Sequence, residues 1–271
     1  MTTRLHVETV GNGPPLVLLH GWAMHSGVWG DLPERLGHRF RVHSVDLPGH
    51  GFSDPLQPLT LDSMVEALSS RFAGAKEPLT VAGWSLGGMV ALRWARRSPA
   101  AISRLVLVAT TPAFVAREDW PHAMSAARLD QFGDELRVSY RLTLQRFLSL
   151  QLAGNKQGRA TLGSGSGDGR AMLATLRRDL FARGEPAPEA LVDALRILGD
   201  TDLRAEVPTI STPAVVVSGE CDSLTPAAAG AWLADALPHG RFALIEGAGH
   251  LPFLSHPDAF VKAFDTVADE R

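Results

Sequence analysis

The stretch Val81-Ala82-Gly83-Trp84-Ser85-Leu86-Gly87-Gly88 carries a Gly-x-Ser-x-Gly pattern. It lies between an apolar, β-prone run (Leu79, Thr80, Val81) and a helical one over residues 89–97. Strand, sharp turn and helix is the setting in which that pattern presents a nucleophilic serine. Glycines at 83 and 87 remove the Cβ atoms that would crowd so tight a turn. Ser85 is therefore expected in a strained backbone conformation, its hydroxyl held at the top of a sheet. The helix that follows aims its N-terminal amides at the same place, where developing negative charge is stabilised. The same pattern also occurs in plain Gly-Ser loops, so its meaning depends on the partners found for the serine.

Working outward, residues 4–9 and 15–19 read as two strands around the turn Gly11-Asn12-Gly13-Pro14, and His20-Gly21-Trp22 follows the second. A short helix is expected over 28–36 and a strand over 40–45, ending at the turn-rich Asp46-Leu47-Pro48-Gly49-His50-Gly51. Leu61, Met64, Val65, Leu68 and Phe72 are spaced for a helix over 60–72. Beyond the serine, strands are expected at 105–108, 214–217 and 242–245, and helices at 227–237 and 257–267. Strands alternating with helices predict an α/β fold with a mostly parallel sheet covered on both faces. That rhythm breaks between about Thr111 and Asp200. Helices are expected there at 135–152, 170–181 and 188–198, with the low-complexity run Gly163-Ser164-Gly165-Ser166-Gly167-Asp168-Gly169 between the first two. Residues 1–110 and 201–271 thus form the expected core, and 111–200 a helical insertion lying over the strand ends as a cap.

The 271 residues are 45% hydrophobic and 20% charged, with a net charge of −3, a balance that argues against nucleic acid as main partner. Residues 1–10 lack the apolar centre of a signal peptide, and no apolar run reaches the length of a membrane span. One cysteine, Cys221, leaves no internal disulfide. The expectation is a cytoplasmic monomer with no membrane partner. Neither a metal-ligand cluster nor a dinucleotide-binding glycine pattern is present in the sequence, so no metal and no cofactor is expected.

A serine hydroxyl is a poor nucleophile until a base takes its proton, and that base needs a carboxylate to orient it. In Gly-x-Ser-x-Gly enzymes the order along the chain is serine, acid, histidine. Asp222 follows one late strand in Ser218-Gly219-Glu220-Cys221-Asp222, and His250 follows the next in Glu246-Gly247-Ala248-Gly249-His250. Taken alone, an aspartate after a strand is more often a turn or helix cap, and a single histidine is more often structural. In this order, each on a loop after a strand, the three form one constellation. Glu220 and Glu246 are rival acids but lie nearer their strands. The oxyanion formed on attack needs two preorganised N–H donors. Leu86, directly after the nucleophile, supplies one, and the amide of Trp22 is the expected second. His20 precedes the nucleophile and is read as a brace for its loop. Asp46 and His50 are read as parts of a structural turn.

These residues resemble the α/β-hydrolase superfamily over essentially the whole chain, through His20-Gly21-Trp22, Asp46 to Gly51, Gly83 to Gly88 and Gly249-His250. More narrowly, the chain is similar to one branch, the methyl ester esterases that act on pimeloyl-[acyl-carrier protein] in biotin synthesis. The pointers are Leu19-His20-Gly21-Trp22, Gly83-Trp84-Ser85-Leu86-Gly87-Gly88, Asp119-Trp120-Pro121, Arg146-Phe147-Leu148-Ser149-Leu150-Gln151, Asp202-Leu203-Arg204 and Pro252-Phe253-Leu254-Ser255-His256-Pro257. The Gly/Ser run at 163–169 departs from the pattern of that branch. The resemblance implies a substrate site lined by Trp22, Ser85, Leu86, Phe147, Leu148, Ser149, Leu150, Gln151 and His250. It also implies acyl-carrier protein as partner, with Arg141, Arg146 and Arg159 as docking residues. Independently, residues 134–183 hold nine Lys and Arg against four Asp and Glu, eight of the nine being arginine. A basic insertion on an acidic body suits an acidic partner, although a solvated helical face explains the count equally well. Two alternatives are a general carboxylesterase or enol-lactonase of the same fold acting on free small acyl esters, and a non-catalytic binder on a hydrolase scaffold.

Overall fold

The computed structural model describes residues 3–153, 168–184 and 187–268. Seven strands form one sheet: β1 (Val7–Val10), β2 (Pro15–Leu19), β3 (Arg41–Val45), β4 (Leu79–Trp84), β5 (Ile102–Val108), β6 (Ala214–Gly219) and β7 (Gly240–Ile245). Their order is β1-β3-β2-β4-β5-β6-β7. All neighbours run parallel except β1 with β3. Strands β2, β4 and β6 are buried along their whole length, which is why they read as unbroken apolar runs and not as alternating ones.

The helices are α1 (Leu32–Gly37), α2 (Leu61–Phe72), α3 (Leu86–Arg97), α4 (Ala126–Ala153), α5 (Asp168–Asp179), α6 (Pro188–Asp200), α7 (Ala227–Ala236), α8 (Pro252–Ser255) and α9 (Pro257–Ala268). Helix α3 is packed nearly all round, between β4 and α2. α2 starts at a capping box in which the Thr60 and Ser63 side chains each accept the other's backbone N–H.

Several expected elements shift. β1 begins later than residue 4 and pairs antiparallel with β3. The expected helix over 28–36 is two pieces, a 3-10 turn at Ser26–Trp29 and then α1, parted at Gly30, whose φ is 59°. α4 starts nine residues ahead of the expected 135 and is broken at Ser139 (φ −153°, ψ 66°). Between β5 and β6 the described residues form α4, α5 and α6 before the chain returns to the sheet. The two ends of this insertion meet in a neck. Ala113 bridges to Asp202, and the Leu203 amide donates to the Pro112 carbonyl at 2.8 Å. Arg204 there binds both Asp202 and Asp119 and lies over the Trp120 ring. Arg159, and residues 163–167 of the Gly/Ser run, lie outside the described residues. Among the described residues no helix is long and apolar enough to cross a membrane.

Candidate active site

Register lines up the parallel strand ends. Leu19 sits opposite Gly83, Trp84 opposite Val108, Val108 opposite Val217, and Gly219 opposite Ile245. The loops after β2, β4, β5, β6 and β7 therefore open at one edge, where open parallel sheets gather ligands.

Ser85 occupies the β4–α3 turn with φ 55° and ψ −116°, a conformation that non-glycine residues rarely adopt. Its N–H donates to Val108 O at 2.9 Å, and its carbonyl accepts Thr110 Oγ1 at 2.7 Å and the Gly88 amide at 2.9 Å. The glycines on either side are required by space. A Cβ on Gly83 would strike the Gly87 carbonyl, and one on Gly87 would strike the Leu19 carbonyl. Leu86 opens the twelve-residue α3, so its amide is unpaired within the helix and faces the turn.

Asp222 and His250 meet in the interior, with Nδ1 of His250 2.7 Å from Asp222 Oδ2 and both side chains almost wholly buried. Oδ1 of Asp222 accepts the amides of Leu224 (2.8 Å) and Thr225 (3.0 Å). The turn-capping aspartate and the histidine-orienting aspartate are thus the same residue, one oxygen for each role. The Thr225 hydroxyl adds a 2.6 Å bond to Oδ2. Trp84 brings His250 to the serine turn: its indole N–H donates to His250 O at 2.8 Å, and the two rings lie 5.4 Å apart. Glu220 does not face His250; its Oε2 accepts the Gly247 amide at 2.9 Å. Glu246 is exposed.

The His20 loop is braced from within. Nδ1–H of His20 donates to Gly21 O at 2.8 Å, and Nε2 accepts the Leu47 amide at 2.9 Å. Complete burial, with His50 5.3 Å away, lowers its pKa to about 3, so it is a neutral brace. Asp46 Oδ1 accepts the Ser26 amide at 2.7 Å and Oδ2 the Phe52 amide at 2.9 Å. Burial alone would raise the Asp46 carboxyl, but the hydrogen bonds from the Phe52 and Ser26 amides hold it below its ordinary value. His50 turns Nδ1 to its own turn, at Pro48 O.

Trp22 is buried, with its indole N–H on Leu191 O of α6 at 2.9 Å and its ring edge-on to Phe147 at 4.9 Å. The Gln151 carbonyl accepts the His250 amide at 3.3 Å, while its own side-chain amide is buried without a partner among the described residues. Phe147 and Gln151 stand four residues apart on α4; the Phe147 ring meets Trp22, and the Gln151 backbone carbonyl meets His250. Ser149 and Leu150 line a groove with Arg128, Phe132 and Arg146. The Ser149 hydroxyl accepts from Arg177 at 3.2 Å. Leu148 is fully buried. Arg141 stacks over Phe181 at 5.0 Å, and Arg146 lies 3.5 Å from Glu135. Trp84, Thr110 and Thr225 are the site residues that sequence reasoning missed. Trp84 occupies a variable position of the serine motif, and the other two leave no signal beyond standing just past a strand.

The chain belongs to the alpha/beta hydrolase family, whose model matches residues 16–263. It is 46% identical over 263 residues to the pimeloyl-[acyl-carrier protein] methyl ester esterase of Nitrosomonas europaea, covering 97% of this chain and 99% of that one. It is 45% identical over 260 residues to the protein of the same name from Xanthomonas oryzae, covering 96% of each. Among solved structures, an esterase from Exiguobacterium antarcticum has the same fold, with a TM-score of 0.87 at 21% identity over 99% of this chain and 96% of that one.

Proposed function

We propose that the chain is a serine carboxylesterase that hydrolyses the methyl ester of pimeloyl-acyl-carrier protein. The buried Asp222–His250 pair, 2.7 Å apart and tied through Trp84 to the turn that strains Ser85, carries the chemistry. The two relatives at 46% and 45% identity over nearly their whole length support the substrate.

His250 Nε2 takes the Ser85 proton as Oγ bonds to the ester carbonyl carbon. The oxyanion accepts hydrogen bonds from the amides of Leu86 and Trp22. The imidazolium is stabilised by Asp222 and gives its proton to the departing methoxide, releasing methanol and leaving the acyl group on Ser85. Water, deprotonated by His250, attacks that acyl carbon. Collapse frees the pimeloyl carboxylate, and the proton returns to Ser85 Oγ. Residues 111–200 act as a cap on the core of 1–110 and 201–271, with Phe147 and Gln151 above the acyl chain. Arg141, Arg146 and Arg159 receive the acidic carrier protein, and short free acyl esters are accepted as well.

The test is rescue of a biotin-requiring strain that lacks its own esterase. Wild type is expected to restore growth and Ser85→Ala to fail while remaining folded. Turnover of p-nitrophenyl esters by Ser85→Ala should fall about 10⁴-fold or more. Failure to rescue by a protein active on p-nitrophenyl esters would point instead to free small esters as the substrate.

A further inference from the structure

Arg183 lies in the turn between α5 and α6, yet its side chain is only 13% exposed. Its guanidinium holds three separate parts of the core. One arm donates to Glu8 Oε2 on β1 at 2.7 Å. The other donates to Ser26 Oγ at 2.9 Å and lies 3.4 Å from Asp46 Oδ2, and the plane sits 5.4 Å above the Phe52 ring. Burial raises the Glu8 carboxyl, but the hydrogen bond and charge of Arg183 outweigh it and keep the group below its ordinary value. Ser26 is the shared element, since its amide is already bound by Asp46 at 2.7 Å. It stands four residues beyond Trp22, in the loop that offers the second oxyanion donor. The same loop meets the insertion twice more: Trp22 Nε1 donates to Leu191 O, and His25 Nε2–H to Asp179 O at 2.6 Å.

We infer that Arg183 is a positioning residue for the oxyanion hole, fixing the loop that carries the Trp22 amide against the seated insertion. It touches no substrate and acts through Ser26 and Asp46. Only a planar fork reaches Glu8 and Ser26 together; a lysine ammonium is a single point. Breaking the set leaves the Asp46 carboxylate buried and short of its cation. The loop then loses the contact that fixes its distance from Ser85, and a hydrogen bond aimed at the transition state is lengthened.

The inference rests on the esterase reading, and its test is kinetic. With p-nitrophenyl acetate, Arg183→Ala should lower kcat about tenfold with KM within about twofold of wild type, a fraction of the loss seen when an oxyanion donor is removed outright. Affinity for a trifluoromethyl ketone, which forms the tetrahedral adduct, should weaken by a similar factor. Added guanidinium chloride at non-denaturing concentration should restore part of the rate. Glu8→Gln, which spares Ser26 and Asp46, should stay near wild type. Arg183→Lys should fall between wild type and alanine and serves if the alanine variant does not fold; a lysine variant equal to wild type overturns the inference. So does an alanine variant whose kcat is unchanged, or one whose KM rises while ketone affinity holds. A wild type inert to the ester overturns the esterase reading with it, whereas an active wild type with an indifferent Arg183→Ala overturns the inference alone.

Discussion

Asp222 divides its oxygens between holding a turn and orienting His250, and substitutions can separate the two roles. Asp222→Asn keeps a carbonyl oxygen for the Leu224 and Thr225 amides but removes the charge that orients the imidazole and steadies the imidazolium. A fall in kcat of about 10³- to 10⁴-fold is expected, with the urea midpoint nearly unchanged. Asp222→Ala should lose the midpoint as well, because two buried amides are then orphaned. Equal stability in the two variants would show that the turn does not depend on the carboxylate. Gly87 is a second residue where the strand–helix junction allows no substitute. A Cβ there meets the Leu19 and His20 carbonyls, which are backbone and cannot swing away. Gly87→Ala is expected to cost about 2 kcal/mol or more in denaturant unfolding, the upper range for overpacking, and to displace Ser85. The meeting of Asp222 with His250 was legible because chain order and position after a strand are one-dimensional facts. Trp84 was not, since its hold on the His250 carbonyl joins positions 166 apart.

The loops after β2 and β3 form one buried polar layer, and its histidines set a pH dependence. Burial pushes His20, His25 and His50 below the ordinary value of 6.5, with His20 at about 3. In the unfolded chain all three take a proton near 6.5, so below that pH the unfolded state binds more protons and stability falls as pH falls. His20, the most strongly lowered of the three, carries this loss furthest into acid. Denaturant unfolding at pH 8, 6 and 5 should therefore show little change above pH 7 and a steepening loss below 6.5. A flat profile down to pH 5 would mean that these imidazoles are charged in the fold. At the other end of the core, Thr60 caps α2 on the exposed surface. Thr60→Ala should cost about 1 kcal/mol by thermal or urea unfolding and leave ester turnover untouched. Elements with a strong period or a buried apolar run, α2, α3, β2 and β4, were readable from local pattern. The break in α4 at Ser139, the pairing of β1 with β3 and the bridges in the neck are decided by what the chain packs against, and no local pattern carries that.

Across the whole molecule charge is unevenly spread, and this bears on how a carrier-borne substrate arrives. The chain is net −3, while residues 134–183 carry nine basic side chains against four acidic ones. Arg146 is 59% exposed although it lies near Glu135, and Arg178 is 71% exposed beside Asp179. Pairs this exposed hold little energy, so their guanidinium groups can be exchanged for a partner's carboxylates at small cost. Electrostatic steering of that kind acts on association and fades as the Debye length shrinks from about 10 Å at 0.1 M salt to about 3 Å at 1 M. Replacing Arg141 and Arg146 by glutamine should raise KM for a carrier-bound methyl ester about fivefold to tenfold at low salt, the range that two weakened charge contacts give. Turnover of a small p-nitrophenyl ester should not change, because Arg141 packs on Phe181 and Arg146 on Glu135, both within the insertion. Raising the salt should erase most of the difference between wild type and variant on the carrier-bound substrate. An equal loss on both substrates would place these arginines in the fabric of the insertion, and no loss on either would move the docking surface elsewhere on the molecule.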